Sequence, residues 1–140
     1  MCWERVYTVE NYYDCPRSGF ADVDGKPHAY NCRFDNIVDD WTDEYFITEV
    51  DTDLLALVIE KWAIWKCWEK AFHKGEIAFA TFPVLSEDRP RYLTLKKAIE
   101  ERLAIPNTKG HLVKGRFRRT EQKPEFGLGN FEVEWTQIGK

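Results

Sequence analysis

GFADVDGKPHAYNCRF, residues 19 to 34, decides how the chain is read. Two extended runs flank Asp24-Gly25, a pair that tolerates the positive φ angles of a type I′ turn, so the stretch predicts a β-hairpin. In that register Val23 faces Lys26 and Ala21 faces His28. Side chains alternate across a strand, so Ala21, Val23, His28, Tyr30, Cys32 and Phe34 share one face, and Phe20, Asp22, Pro27, Ala29, Asn31 and Arg33 share the other. The first set is the expected core face. Pro27 has no N–H to give to a ladder and belongs at a strand start or an edge.

Upstream, WERVYTV (3–9) is rich in aromatic and β-branched residues and predicts a strand. YYDCPRSG (12–19) carries Pro16, Ser18 and Gly19 as punctuation and predicts a loop. Downstream, residues 35 to 43 are polar and acidic, and EYFITEV (44–50) predicts a further strand. Asp51 or Thr52 then caps a helix in which Leu54, Leu55, Val58, Trp62, Trp65, Trp68 and Phe72 recur at three- and four-residue steps. That helix should end near Gly75, with Trp62, Trp65 and Phe72 buried against the sheet.

A second helix is expected from Pro90 to about Ala104, with Pro106 beyond its end and Tyr92, Leu95, Ile99 and Leu103 as its buried stripe. HLVKGRFRRT (111–120) and NFEVEWTQI (130–138) predict two closing strands joined by EQKPEFGLG (121–129). In the last strand Phe131, Val133 and Trp135 should point inward, with Glu132, Glu134 and Thr136 outward. The fold class is therefore α+β: a single domain, a mostly antiparallel sheet or open barrel of about five to six strands packed by two helices.

Composition narrows the function classes. The 140 residues are 44% hydrophobic and 15% aromatic, enough for a sizeable core. The longest apolar stretch, Leu54 to Ile59, is far short of the roughly 20 residues that cross a bilayer. MCWERVYTVE lacks a basic region followed by an apolar one, so no secretory signal is read and a cytoplasmic location is expected. Cys2, Cys15, Cys32 and Cys67 form no C-x-x-C pair, and His28, His73 and His111 add no zinc spacing, so reduced thiols, no metal and no cofactor are expected.

Residues 62 to 76, WAIWKCWEKAFHKGE, followed by PVLSEDRPRYLTL at 83 to 95, resemble a group of small bacterial proteins with no assigned activity. The resemblance covers roughly half of the chain and contains no catalytic motif, so it implies no activity. No G-x-x-x-x-G-K-[ST], G-x-S-x-G or H-E-x-x-H occurs, which removes support for nucleotide hydrolysis, α/β-hydrolase chemistry and zinc proteolysis.

Four features carry candidate chemistry. His28, Tyr30 and Cys32 on one hairpin face, with Asp14 or Asp35 nearby, could supply a base, a relay and a nucleophile, although a packed histidine and a small buried thiol read the same way. Trp62, Trp65 and Trp68 could stack on a flat ligand or simply face a sheet. Lys114, Arg116 and Arg118 line one face of a strand with Phe117 on the other, a weak match to an RNA-binding strand that Glu132 and Glu134 are placed to neutralise. Nucleic acid is thus a disfavoured partner.

The fourth feature is charge. Residues 1 to 60 hold 14 acids and 4 bases, net −10, while residues 61 to 140 hold 10 acids and 16 bases, net +6. Between Phe34 and Glu60, only Asp, Glu and neutral residues occur apart from the flanks, among them Asp35, Asp39, Asp40, Asp43, Glu44, Glu49, Asp51 and Asp53. The spacing is not that of a calcium loop. Such a stretch is either a solvated face or a dock for a basic partner. The leading expectation is a non-enzymatic binding or protein-interaction domain with an acidic docking surface at Asp35, Asp39, Asp40, Asp43 and Glu44. The alternatives are a small enzyme using His28, Cys32 and Asp35, or a nucleic-acid module using Lys114, Arg116 and Arg118.

Overall fold

The computed structural model describes residues 2–78, 84–103, 110–120 and 129–138. Its strands form one compact unit and its helices another. Six strands, β1 (Glu4–Tyr13), β2 (Cys15–Val23), β3 (Lys26–Asp35), β4 (Asp40–Glu49), β5 (His111–Arg119) and β6 (Phe131–Gln137), form a closed antiparallel barrel in sequence order. Both helices, α1 (Thr52–His73) and α2 (Arg89–Leu103), fall between β4 and β5 in the chain. Six antiparallel strands with two helices match the expected α+β class, and of the expected sheet or open barrel the structure has a barrel, which closes. The closure is the pairing of Glu4 with Val133 and Arg5 with Glu132.

The Asp24-Gly25 turn forms as its chemistry requires. Asp24 and Gly25 both take positive φ, 54° and 77°, and Val23 pairs with Lys26 and Ala21 with His28. Of the expected core face Ala21 and Tyr30 are buried and Val23, His28 and Cys32 half-buried, whereas Phe34 is exposed and Phe20 of the opposite face is buried; Tyr45, Ile47, Val113 and Val133 join Ala21 and Tyr30 among the buried residues of the barrel. Phe117 and Trp135 pack on this cluster, with Tyr30 and Phe117 stacked 5.2 Å apart and Trp135 edge-on to Tyr45 at 5.7 Å. The polar tips of these rings are all anchored. Tyr30 donates to the Thr8 carbonyl at 2.9 Å, Tyr45 to the Pro16 carbonyl at 2.7 Å, and the Trp135 indole to the Asp22 carbonyl at 2.9 Å.

The segment 12–19 departs from expectation. It is not a loop: β1 runs to Tyr13, Asp14 turns the chain at φ 67°, and β2 begins at Cys15. Pro16 and Gly19 are strand residues here. Gly19 is required by close approach, because a Cβ there would stand 2.2 Å from the Thr8 carbonyl oxygen and 2.7 Å from the Tyr30 hydroxyl. The glycine read as punctuation instead lets β1 and the Tyr30 side chain pack against β2.

In the helical unit, α1 ends two residues before Gly75, whose φ of 76° terminates it as expected. Leu54, Val58 and Trp68 are buried on α1, and Leu95 and Ile99 on α2. Trp62, Trp65 and Phe72 are only half-buried, and Leu103 is exposed. Trp62 stacks on Trp65 at 4.9 Å and Trp68 on Phe72 at 5.1 Å, so the stripe also packs along itself. Arg91 grips Glu60 with two 2.7 Å hydrogen bonds that tie the helices together and hold the Glu60 carboxyl below its ordinary range. Ala104 and Pro106 at the end of α2, and the 121–128 connection, lie outside the described residues.

Candidate functional site

The ladders of the barrel have unequal lengths, and that inequality builds its most distinctive feature. The β2–β3 ladder stops at Ser18 and Asn31, and the β4–β5 ladder stops at Glu44 and Lys114. The β3–β4 ladder continues beyond both, to Phe34 opposite Trp41 and Asp35 opposite Asp40. Residues 32 to 43 therefore form a two-stranded arm whose outer edges have no ladder partner among the described residues.

A bulge marks the root of the arm. Between the Cys32–Tyr45 and Phe34–Trp41 pairs, Arg33 alone stands opposite Thr42, Asp43 and Glu44. Extra residues on one strand bend it and end its pairing with the neighbour on its far side. Thr42 fills the gap, its hydroxyl donating to the Arg33 carbonyl at 2.8 Å and accepting the Glu44 N–H at 3.1 Å. Arg17 braces the root from β2. Its Nε donates to the Tyr13 carbonyl at 2.9 Å, its Nη1 lies 3.4 Å from Cys32 Sγ, and its guanidinium sits 5.2 Å from the Trp41 ring centre.

All five residues of the expected acidic dock lie on this arm or at its root. Asp35 accepts the N–H groups of Ile37 and Val38 and closes the tip. Asp40 accepts the Trp41 N–H at 2.7 Å. Glu44 pairs with Arg33 at 2.8 Å, and Arg33 also reaches Asp35 at 4.0 Å. Asp39 and Asp43 are exposed and have no ion-pair partner among the described residues. Sequence reasoning passed over the apolar residues between these acids: Ile37 is 95% exposed and Val38 67%.

The expected catalytic grouping is not assembled. His28 and Cys32 share a face, but four steps along the strand set them about 13 Å apart, and Asp35 is farther along still. Each is engaged locally: His28 Nδ1 meets the Lys26 carbonyl at 2.8 Å, Cys32 Sγ the Thr42 carbonyl at 3.1 Å, and Asp35 the arm tip. Tyr30, the middle member, is sealed in the core, where burial pushes its hydroxyl well above the ordinary tyrosine range. Burial likewise raises Tyr45, helped by its contact with Cys15 Sγ at 3.7 Å.

Two of the three cations of the β5 row are neutralised where the sequence placed their counter-charges, and the third, Lys114, stands opposite Glu44 on β4 and Thr136 on β6. Arg116 pairs with Glu134 at 2.8 Å and Arg118 with Glu132, each directly across the β5–β6 ladder. Trp3 lies under both guanidiniums, 3.9 Å from Arg118 and 5.1 Å from Arg116. That ring is occupied by the protein's own cations rather than offered to a base.

Comparison with protein-family models, curated proteins and solved structures gives no match. The site thus rests on its own geometry. Among the described residues no group of three or more His, Cys, Asp or Glu could hold a metal ion, and no helix is long and apolar enough to cross a membrane. All four cysteines are free thiols.

Proposed function

We propose that the protein is a non-enzymatic binding domain that docks a basic protein partner on the β3–β4 arm, in the cytoplasm. The observation that carries this reading is the net negative charge of the arm, which Arg33 offsets only in part. The arm projects Asp35, Asp39, Asp40 and Asp43 past the last ladder partners of β2 and β5, with Glu44 at its root, and Arg33 is the only base in an ion pair with these acids among the described residues. Within the basic row of β5, Arg116 and Arg118 are paired with β6, which leaves Lys114, opposite Glu44, as the member of that row beside the root of the arm. Exposed like charges on one projecting element attract a basic surface over distances set by screening. Four unpaired thiols support the cytoplasmic setting.

The test uses a lysine-rich peptide as probe at two ionic strengths, about 0.1 M and about 1 M, where the screening length falls from about 10 Å to about 3 Å. Binding at low salt should disappear at high salt, and should disappear in Asp39→Lys/Asp40→Lys/Asp43→Lys with the melting temperature preserved. If the charge-reversed protein binds the peptide as well as wild type does, the acids are a solvated face and the reading fails.

A further inference from the structure

The apolar tip of the arm gives the proposed dock a second component, one that depends on the docking reading itself. Ile37 and Val38 are 95% and 67% exposed, yet their backbone is held. Asp35 Oδ1 accepts the Ile37 N–H at 2.9 Å and the Val38 N–H at 3.4 Å, and Asp39 closes the turn at φ 56°. Two branched side chains held in water by a pre-formed turn have little freedom left to lose when a partner covers them. We infer that Ile37 and Val38 are the anchor of the dock, and that they seat on an apolar stripe flanked by lysine or arginine on the partner protein.

The surroundings select that partner over others. Asp35, Asp39, Asp40 and Asp43 bracket the apolar pair, so the covering surface must bring positive charge to its rim. A second copy of the same tip, a nucleic acid or an anionic bilayer would bring negative charge instead. Backbone pairing along the arm is also poorly provided for. On β4 the Trp41 N–H is bonded to Asp40 Oδ1, the Glu44 N–H to Thr42 Oγ1, and the Thr42 carbonyl to Cys32 Sγ. Polar groups already engaged by side chains make a guarded edge, so the arm presents side chains rather than a ladder. Arg17, clamped between the Tyr13 carbonyl, Cys32 and Trp41, holds the root of the arm so that the tip arrives in one orientation.

The experiment compares two probes on the full chain at about 0.1 M salt: a polylysine peptide, and an amphipathic leucine–lysine peptide with the same number of lysines. Wild type should bind the amphipathic peptide about tenfold more tightly, the scale expected for covering part of two branched side chains. Ile37→Ser/Val38→Ser should bind both peptides at the polylysine level, and Ile37→Ala alone should fall between. Equal binding of the two peptides by wild type, or a preference that survives in the Ser variant, overturns the anchor and leaves the charge-driven dock standing. Failure to bind either peptide removes the dock as well. Vesicles containing phosphatidylserine serve as a third probe: binding that the Ser variant loses would assign the tip to a membrane and overturn the inference.

Discussion

Strands β3 and β4 pass through two environments within a few residues of each other. In the barrel wall Tyr30, Tyr45 and Ile47 are no more than 1% exposed, whereas on the arm Phe34 is 37% and Ile37 95% exposed. Tyr30, Tyr45, Ile47 and Phe34 belong to one ladder, and Ile37 lies in the turn that joins its two strands. The difference lies in their neighbours. In the wall β2 flanks β3 and β5 flanks β4, closing a sheet around the rings; on the arm neither flank continues, and Phe34 and Trp41 have mainly each other, edge to face at 5.1 Å. Burial is thus conferred by adjacent strands, not by the apolarity of the residue buried. The same ladder is enclosed in one half and open to water in the other.

The contrast is broken most directly by truncating one ring in each half. Tyr30→Ala should cost about 3–5 kcal/mol, since it removes a stacked core ring and leaves the Thr8 carbonyl without its donor. Chemical denaturation would measure it, and a midpoint equal to wild type would mean that the barrel core does not hold the fold. Alkaline titration sharpens the same half. The Tyr30 and Tyr45 hydroxyls lie above the ordinary value of 10.0 in the folded barrel because burial disfavours the phenolate. Stability should be complete below pH 10 and fall as pH rises beyond it, because the unfolded chain releases protons that the barrel retains. Phenolate absorbance of these two residues should then appear only together with loss of the near-ultraviolet circular dichroism. If it rose first, in a still-folded protein, the rings would not be sealed. On the arm the expected effect is the smallest: Ile37→Ser/Val38→Ser should shift stability by no more than about 0.5 kcal/mol. A larger loss would show that the tip is packed in solution, contrary to its exposure.

The helical unit shows the limit of periodicity from another side. Three- and four-residue spacing located α1 and α2 to within a residue or two, yet Trp62 and Trp65 share the stripe of Trp68 and are less buried than it. An arc this wide tells which residues can face a partner, not how much of the arc the partner covers.

Local chemistry was legible from the residues alone. Asp24-Gly25 specified the turn and with it the register of β2 and β3, alternation specified the face of Tyr30 and of Val133, and Glu132 and Glu134 stood where Arg118 and Arg116 would need them. Each of these depends on neighbours in sequence or on a single cross-strand pair, so a pattern of turns and periods contains it. The segment 12–19 misled for a reason of the same kind. Pro16 and Gly19 look like loop punctuation, but their use depends on Tyr45 donating to the Pro16 carbonyl and on Thr8 and Tyr30 crowding the Gly19 backbone, contacts made across 11 to 29 residues. The closure of Glu4 on Val133 and the length by which the β3–β4 ladder outruns both flanks were settled only in three dimensions. Where a ladder ends is a property of two distant strands and the bulge between them. No window of sequence contains both, so the acids of the arm could be read from the chain while the projection of Ile37 and Val38 beyond the barrel could not.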